Sequence, residues 1–226
     1  MPDVTMMKGS VIEQLKPIFE PESVAVIGAS ADLTKFGGRA FFLPLETGYR
    51  GRLYPVNPSR TDLFGVKAYP SILDIPDRID LAIIAVASPL VPKVMEECVR
   101  KGVRGIVMIT AGFAEMGGEG KKLQDQVVAI AHNAGIRLVG PNSNGIWSSK
   151  VRLNLLFYRA PRPGAISFIS QSGTLGGYLF EWASAKGYGF SKFVSSGNQA
   201  SLNVCDYLEY LREDPDTRAI VLYIES

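Results

Sequence analysis

Short runs rich in Val and Ile alternate along the chain with longer amphipathic stretches. Residues 23–30 (SVAVIGAS), 51–57 (GRLYPVN), 80–87 (DLAIIAVA), 105–110 (GIVMIT) and 136–140 (IRLVG) are such runs. Near-continuous apolarity over so few residues predicts strands buried on both faces, hence a parallel sheet. Between them the period changes to that of a helix. Residues 89–101 place Val91, Val94, Met95 and Val99 on one side, and 119–134 do the same with Leu123, Val127, Val128 and Ile130 before Gly135 closes the helix. Strand–helix alternation of this kind predicts a doubly wound α/β sheet of Rossmann-like form.

The rhythm breaks over residues 148–164, where Pro161 and Pro163 mark a linker or domain crossing. It then restarts with a strand at 165–169, a helix at 174–185, a strand at 190–195, a helix at 201–212 and a strand at 219–224. The expected organisation is a Rossmann-like domain over 1–147 and an incomplete, flavodoxin-like α/β domain over 148–226. With three strands in the second sheet, one hydrophobic edge should stand open, which invites dimerisation or a partner chain. There is no internal repeat beyond the alternation itself.

Composition narrows the chemistry. The chain has 226 residues, 46% hydrophobic and 20% charged, with a formal net charge of +2. That balance, without a Lys/Arg cluster, argues against nucleic acid as a partner. No apolar run reaches the roughly 18 residues of a membrane span. The start carries Glu13 and Glu20 and no continuous apolar core, so it does not read as a signal peptide, and the expected setting is cytoplasmic. Cys98 and Cys205, with no CxxC spacing, read as two buried thiols in helices. His132 is the single histidine, which excludes a His-rich metal site, and no other metal site is expected. In the last turn of a helix it complements the helix dipole.

Parallel α/β sheets bind ligands at the carboxyl ends of their strands. Here each run exits into small or polar residues: Gly28-Ala29-Ser30, Asn57-Pro58-Ser59, Ser88-Pro89, Thr110-Ala111-Gly112, Gly140-Pro141-Asn142 and Ser170-Gln171-Ser172-Gly173. Their convergence on one rim points to a nucleotide-sized ligand. NAD is disfavoured, because Gly28 is followed only by Gly37 and Gly38 and the second strand ends in Asn57, Ser59 and Arg60 rather than an acid. Those three suit a phosphorylated ribose, although a plain turn with a solvated Arg60 accounts for them too. There is no Walker A sequence, and SQSGTLGG (170–177) is not a nucleophile elbow. Ser172, Gly173 and Thr174 instead open a helix, and their N–H and hydroxyl groups suit a phosphate; simple N-capping by Ser172 is the alternative. Glu115 and Glu119 beside a Gly-Gly turn are expected to be solvated. Glu225, at the end of the final strand, should face the same rim as Ser172.

The motifs FEPESVAVIGAS (19–30), YPVNP (54–58), AGFAE (111–115), GPNSNG (140–145) and SQSGTL (170–175) fall in this order. So ordered, the chain resembles the NDP-forming acyl-CoA synthetases, the family of succinyl-CoA synthetase alpha subunits and ADP-forming acetyl-CoA synthetases. The resemblance implies a CoA-binding domain followed by a ligase domain. It also implies conversion of a carboxylic acid, CoA and NTP to acyl-CoA, NDP and phosphate through an acyl phosphate and a phosphohistidine.

Carried onto this chain, the resemblance makes Gly28, Ala29, Ser30, Lys35, Gly37 and Gly38 the loop that meets the CoA phosphates. Asn57, Pro58 and Arg60 take the ADP portion, Ser88 and Pro89 the adenine side, and Gly112 and Asn142 the pantetheine path. Ser172, Gly173 and Thr174 correspond to the helix start that holds the transferred phosphoryl group. Glu225 corresponds to the catalytic glutamate that holds the active-site histidine.

In the family that histidine follows the glutamate, whereas His132 precedes GPNSNG and cannot replace it. ATP or ADP with Mg²⁺ is accordingly expected only through an ATP-grasp (beta) subunit or domain. A second expectation of another class is a non-catalytic CoA or acyl-CoA sensing module, such as one attached to a protein acetyltransferase. An NAD(H)-responsive regulator is a third, weakened because neither the winged-helix DNA-binding segment usual in such regulators nor a basic face is read in these residues.

Overall fold

The computed structural model describes residues 9–156 and 158–225. In chain order the elements are α1 (Val11–Phe19), β1 (Ser23–Ile27), α2 (Phe36–Thr47), β2 (Arg52–Val56), a small hairpin of β3 (Asp62–Leu63) and β4 (Val66–Lys67), β5 (Leu81–Ile84), α3 (Val91–Lys101), β6 (Gly105–Met108), α4 (Gly118–Asn133) and β7 (Arg137–Val139). They continue with β8 (Ile146–Ser148), β9 (Leu153–Asn154), β10 (Pro163–Ser170), α5 (Gly173–Ala185), β11 (Phe190–Ser195), α6 (Val204–Arg212) and β12 (Ala219–Tyr223). Sheet one has the order β2-β1-β5-β6-β7, and its pairings are all parallel. The doubly wound reading of the first half is therefore what the chain forms.

Local signals explain several boundaries. Ser10 and Glu13 form a capping box that starts α1, and Asn203 with Asp206 does the same for α6. Helix α3 opens with a proline in its first turn and ends at Gly102 in the left-handed conformation, with Arg100 and Lys101 in the last turn. Strand β1 is buried at all five positions because helices cover both faces. Val24 and Val26 face one core with Leu81 and Ile83, while Ala25 and Ile27 face the other with Val91 and Met95.

The segment expected to be a linker is structured. Strand β9 comes from it and β8 runs into it, and both join the second sheet antiparallel, giving the order β12-β10-β11-β8-β9. Five strands thus replace the expected three, and β8 straddles the expected boundary at 147/148. The runs IWS and LN are too short and too polar in flank to stand out by periodicity. Phe157 in the same segment lies outside the described residues. Helices α1 and α2 were also not among the expected elements.

The two halves share a core. Val24, Val26, Val107 and Val139 of sheet one lie in a single apolar cluster with Ile146, Ile169, Val194, Tyr207 and Leu211. Phe19 stacks on Tyr210 with ring centroids 4.8 Å apart. Lys150 bonds Glu20 at 2.8 Å, and Arg137 pairs with Asp206 at 3.6 Å, both across the seam. The outer strand β12 is largely exposed, with Val221 and Leu222 at 46% and 41%, so the expected open edge lies there among the described strands. Cys98 is buried, but Cys205 is exposed on α6, which corrects the expectation of two buried thiols. No helix among the described residues is long and apolar enough to cross a membrane.

Candidate functional site

In sheet one the chain runs from β1 outward to β2, then returns to place β5 on the other side of β1. Such a reversal leaves a crevice beyond the carboxyl ends of the two central strands. A cleft of about 450 Å³ lies there, lined by Gly28 after β1, Ala85–Ser88 after β5, Ile109–Ala111 after β6, and Thr34, Lys35, Phe36 and Gly37 at the start of α2. Asn142 and Asn144 complete its wall. Lys35 is the N-cap of α2, so a cationic side chain stands beside the positive end of a twelve-residue helix, a setting that favours an anion.

The glycines at this rim have a steric cause. Gly28 has φ +89°, and a Cβ on it would come within 2.6 Å of the Ala85 carbonyl oxygen. A Cβ on Gly37 would overlap the Gly28 carbonyl oxygen, and one on Gly38 the carbonyl oxygen of Asp32. Helix α2 can therefore rest directly on the turn that leaves β1 only because its second and third residues carry no side chain.

The second sheet repeats the arrangement. From β10 the chain passes to β11 on one side and returns to β12 on the other. The crevice between β10 and β12 holds a second cleft of about 400 Å³, lined by Gln171, Ser172, Gly173, Thr174, Glu225, Gly197, Asn198 and Glu115. Its lining is more polar than that of the first cleft. Asn142 and Asn144 belong to both walls, so the two clefts adjoin at these asparagines. The side chain of Asn144 stands against Gly173, where a Cβ would meet its amide nitrogen at 2.6 Å.

Of the residues singled out from the sequence, Gly28, Lys35, Gly37, Ser88 and Asn142 line the first cleft. Ser172, Gly173, Thr174 and Glu225 all line the second. Ser172 is the N-cap of α5 and its hydroxyl accepts from the Leu175 N–H at 3.2 Å, so capping is part of its work. The Glu225 N–H donates to the Gln171 side chain at 3.0 Å, tying the end of β12 to the cradle. Ala29, Ser30, Gly38, Asn57, Pro58, Arg60, Pro89 and Gly112 do not line the first cleft.

Asn57 has a scaffold role. Its amide donates to the Ala29 carbonyl at 2.7 Å and its side-chain oxygen accepts from the Ser59 N–H at 2.8 Å. It thereby joins the turns after β1 and β2. Arg60 is exposed at the end of that turn.

Glu115 is exposed, as expected, but its carboxylate is fully engaged. One carboxylate oxygen accepts from the N–H groups of Gly112 and Phe113 at 2.6 and 3.1 Å, and the other accepts from the Asn198 amide. Partial burial raises its carboxyl pKa, but these donors outweigh that and hold it below the usual range. Asn198 was not visible as a site residue, although Gly197-Asn198 is the exit of β11 and obeys the same rule as the other exits. Glu119 meets only Lys122 on the surface of α4. His132 is exposed in the last turn of α4 and lines neither cleft. Among the described residues no group of three or more His, Cys, Asp or Glu side chains could hold a metal ion.

Comparison with known proteins finds a family match on each side of the seam. Residues 22–148 match the family model of the CoA binding domain, and residues 163–226 match that of the succinyl-CoA ligase like flavodoxin domain. The alpha subunit of the ADP-forming acetate–CoA ligase II of Pyrococcus furiosus is 45% identical over 208 residues, which is 92% of this chain and 45% of that subunit. The ADP-forming 4-hydroxybutyrate–CoA ligase of Nitrosopumilus maritimus is 42% identical over 213 residues, 93% of this chain and 30% of that enzyme. Among solved structures, the dinucleotide forming acetyl-coenzyme A synthetase 1 of Ca. Korarchaeum cryptofilum, in complex with phosphate and ADP, superposes with a TM-score of 0.89 at 39% identity. That match covers 94% of this chain and 46% of the synthetase chain. The chain thus spans less than half the length of these relatives. With a CoA binding domain over more than half of its length and the ligase-type flavodoxin domain after it, the chain belongs to the NDP-forming acyl-CoA synthetase family.

Proposed function

We propose that this chain is the CoA-binding portion of an acid–thiol ligase that interconverts a carboxylic acid, CoA and NTP with acyl-CoA, NDP and phosphate. The observation that carries this reading is the adjoining of two clefts at consecutive strand-order reversals, with Asn142 and Asn144 common to both. The first takes CoA, with Lys35 and the start of α2 toward its phosphates. The second takes the phosphoryl group at the N-terminus of α5, where Ser172, Gly173 and Thr174 offer N–H and hydroxyl groups. Glu225, at the rim of that cleft, serves the phosphoryl-carrying histidine. His132 lines neither cleft, so that histidine and the nucleotide site come from polypeptide other than these 226 residues. An ATP-grasp unit is the partner this requires. The relatives named above act on acetate and 4-hydroxybutyrate by their names, which makes a small monocarboxylate the substrate class to try first.

Isothermal titration with CoA, dephospho-CoA and NAD tests the reading. CoA should bind, NAD should not, and dephospho-CoA should bind more weakly. Arg60→Ala should narrow the gap between CoA and dephospho-CoA if its guanidinium meets the 3′-phosphate. Binding of NAD without CoA would overturn the assignment. Acyl-CoA formation on mixing with an ATP-grasp partner, acid, ATP and CoA would separate the enzyme from a sensing module.

A further inference from the structure

Residues 111–115 run from the first cleft to the second, with Ala111 lining the one and Glu115 the other. Ala111 lines the first cleft, Gly112 lies against Ser88 of the same cleft, and Phe113 is fully buried as the anchor. A Cβ on Gly112 would come within 2.8 Å of the Ser88 hydroxyl. In this turn the N–H groups of Gly112 and Phe113 pair with no strand or helix among the described residues, and Gly112 itself sits at φ +100°. Its two N–H groups are instead gathered by one oxygen of Glu115.

The other oxygen of Glu115 reaches across the seam to Asn198, in the loop that leaves β11. Asn198 is itself held in place. Its backbone N–H donates to the Pro141 carbonyl at 2.9 Å, its side-chain amide to Gln124 at 3.0 Å, and its side-chain oxygen accepts from Asn142 at 3.5 Å. Glu115 and Asn198 both line the second cleft. One carboxylate therefore connects the wall of the first cleft to the far half of the molecule.

We propose that Glu115 is a positioning residue which, with Asn198 as its partner across the seam, sets the wall where the first cleft opens into the second. This rests on the reading of the first cleft as the CoA site. With Glu115 in place, the turn stays pressed against Ser88 and the passage past Asn142 keeps its width. Without it, the N–H groups of Gly112 and Phe113 lose their acceptor and the turn is free to move into the cleft.

The bond directions permit a swap test. In Glu115→Gln the side-chain oxygen still accepts from Gly112 and Phe113, but its amide faces the Asn198 amide, donor against donor. In Asn198→Asp two carboxylates face each other, and the Gln124 side chain has to turn its amide toward the new carboxylate. In the Glu115→Gln/Asn198→Asp double variant the new amide at position 115 donates to the new carboxylate at position 198, and the seam bond is restored with its direction reversed. Each single variant should weaken CoA binding about tenfold, which corresponds to about 1.4 kcal/mol, while the thermal midpoint stays within a degree or two. The double variant should recover most of that loss. Single variants binding CoA as the parent does, or a double variant as weak as the sum of the two, would overturn the proposal.

Amide hydrogen exchange of Gly112 and Phe113 in the ligand-free chain gives a readout that does not depend on CoA. Protection should fall in Asn198→Asp and return in the double variant. Unchanged protection overturns the role of Glu115 even if CoA binds. Failure of the unsubstituted chain to bind CoA, with the exchange pattern as expected, would instead count against the CoA assignment alone.

Discussion

Lys192 and Asp214 form an ion pair at 2.6 Å with both side chains almost wholly removed from solvent, at 1% and 2% exposure. Lys192 points inward from β11, and Asp214 follows α6, so the pair fastens that helix to the second sheet. The Thr217 hydroxyl also donates to Asp214, and continues through hydroxyl contacts to Ser167 and Ser191. The Tyr210 ring lies 5.8 Å from the ammonium. Two charges at this depth are tolerated because each has its counter-charge and further polar partners.

Asp214→Ala leaves a buried ammonium without a counter-charge. It should cost about 3–5 kcal/mol, whereas replacing both partners with apolar residues of similar volume should cost far less. Urea unfolding of Asp214→Ala, Lys192→Met and the Lys192→Met/Asp214→Leu double variant checks this. A single variant within about 1 kcal/mol of the parent would contradict the burial argument.

Tyr207 is fully buried, and its hydroxyl is one of the buried side-chain polar atoms without a hydrogen-bond partner. Burial pushes its phenol pKa well up, with Asp206 adding to the shift, so it stays neutral across the accessible pH range. An unpartnered buried hydroxyl costs about 1–3 kcal/mol. Tyr207→Phe should therefore leave stability unchanged or raise the thermal midpoint by a few degrees, since about 1 kcal/mol moves a chain of this size by roughly 2–4 °C. A fall of several degrees in calorimetry would show that the hydroxyl has a partner.

Gly37→Ala places a methyl on the Gly28 carbonyl oxygen. The turn after β1 and the start of α2 have to separate, at a cost of about 1–3 kcal/mol. CoA affinity should fall together with stability, because both the helix N-terminus and Lys35 move. Retained affinity with unchanged unfolding would show that α2 does not rest on that turn.

The two thiols should differ in reactivity. Burial, with Glu97 adding to it, pushes the Cys98 thiol up to about 12, while Cys205 is exposed on α6. The thiolate is the reacting species. One equivalent of thiol reagent should react quickly near pH 8, at Cys205, and the second only on unfolding. Mass spectrometry of partly labelled protein would reveal the opposite order.

How far the chain could be read before folding differs between its parts. The strands of sheet one stood out because a strand covered on both faces is apolar at nearly every position, as in SVAVI and LAII. The cleft residues stood out because the exits of those strands must be small, and steric contacts such as Gly37 against Gly28 enforce it. Strands β8 and β9 did not stand out, since two or three residues carry no period. The bonds of Glu115 did not stand out, because its partner Asn198 is 83 positions away in the sequence.

The sequence by itself thus determined the alternation of elements, the family, and which turns could approach a ligand, because these depend on local period and on glycines at fixed places. The tertiary structure alone decided that β8 and β9 complete the second sheet, that the two halves share one core, and that two clefts meet at Asn142 and Asn144. Those facts depend on distant segments that bury one another's apolar faces and satisfy one another's polar groups.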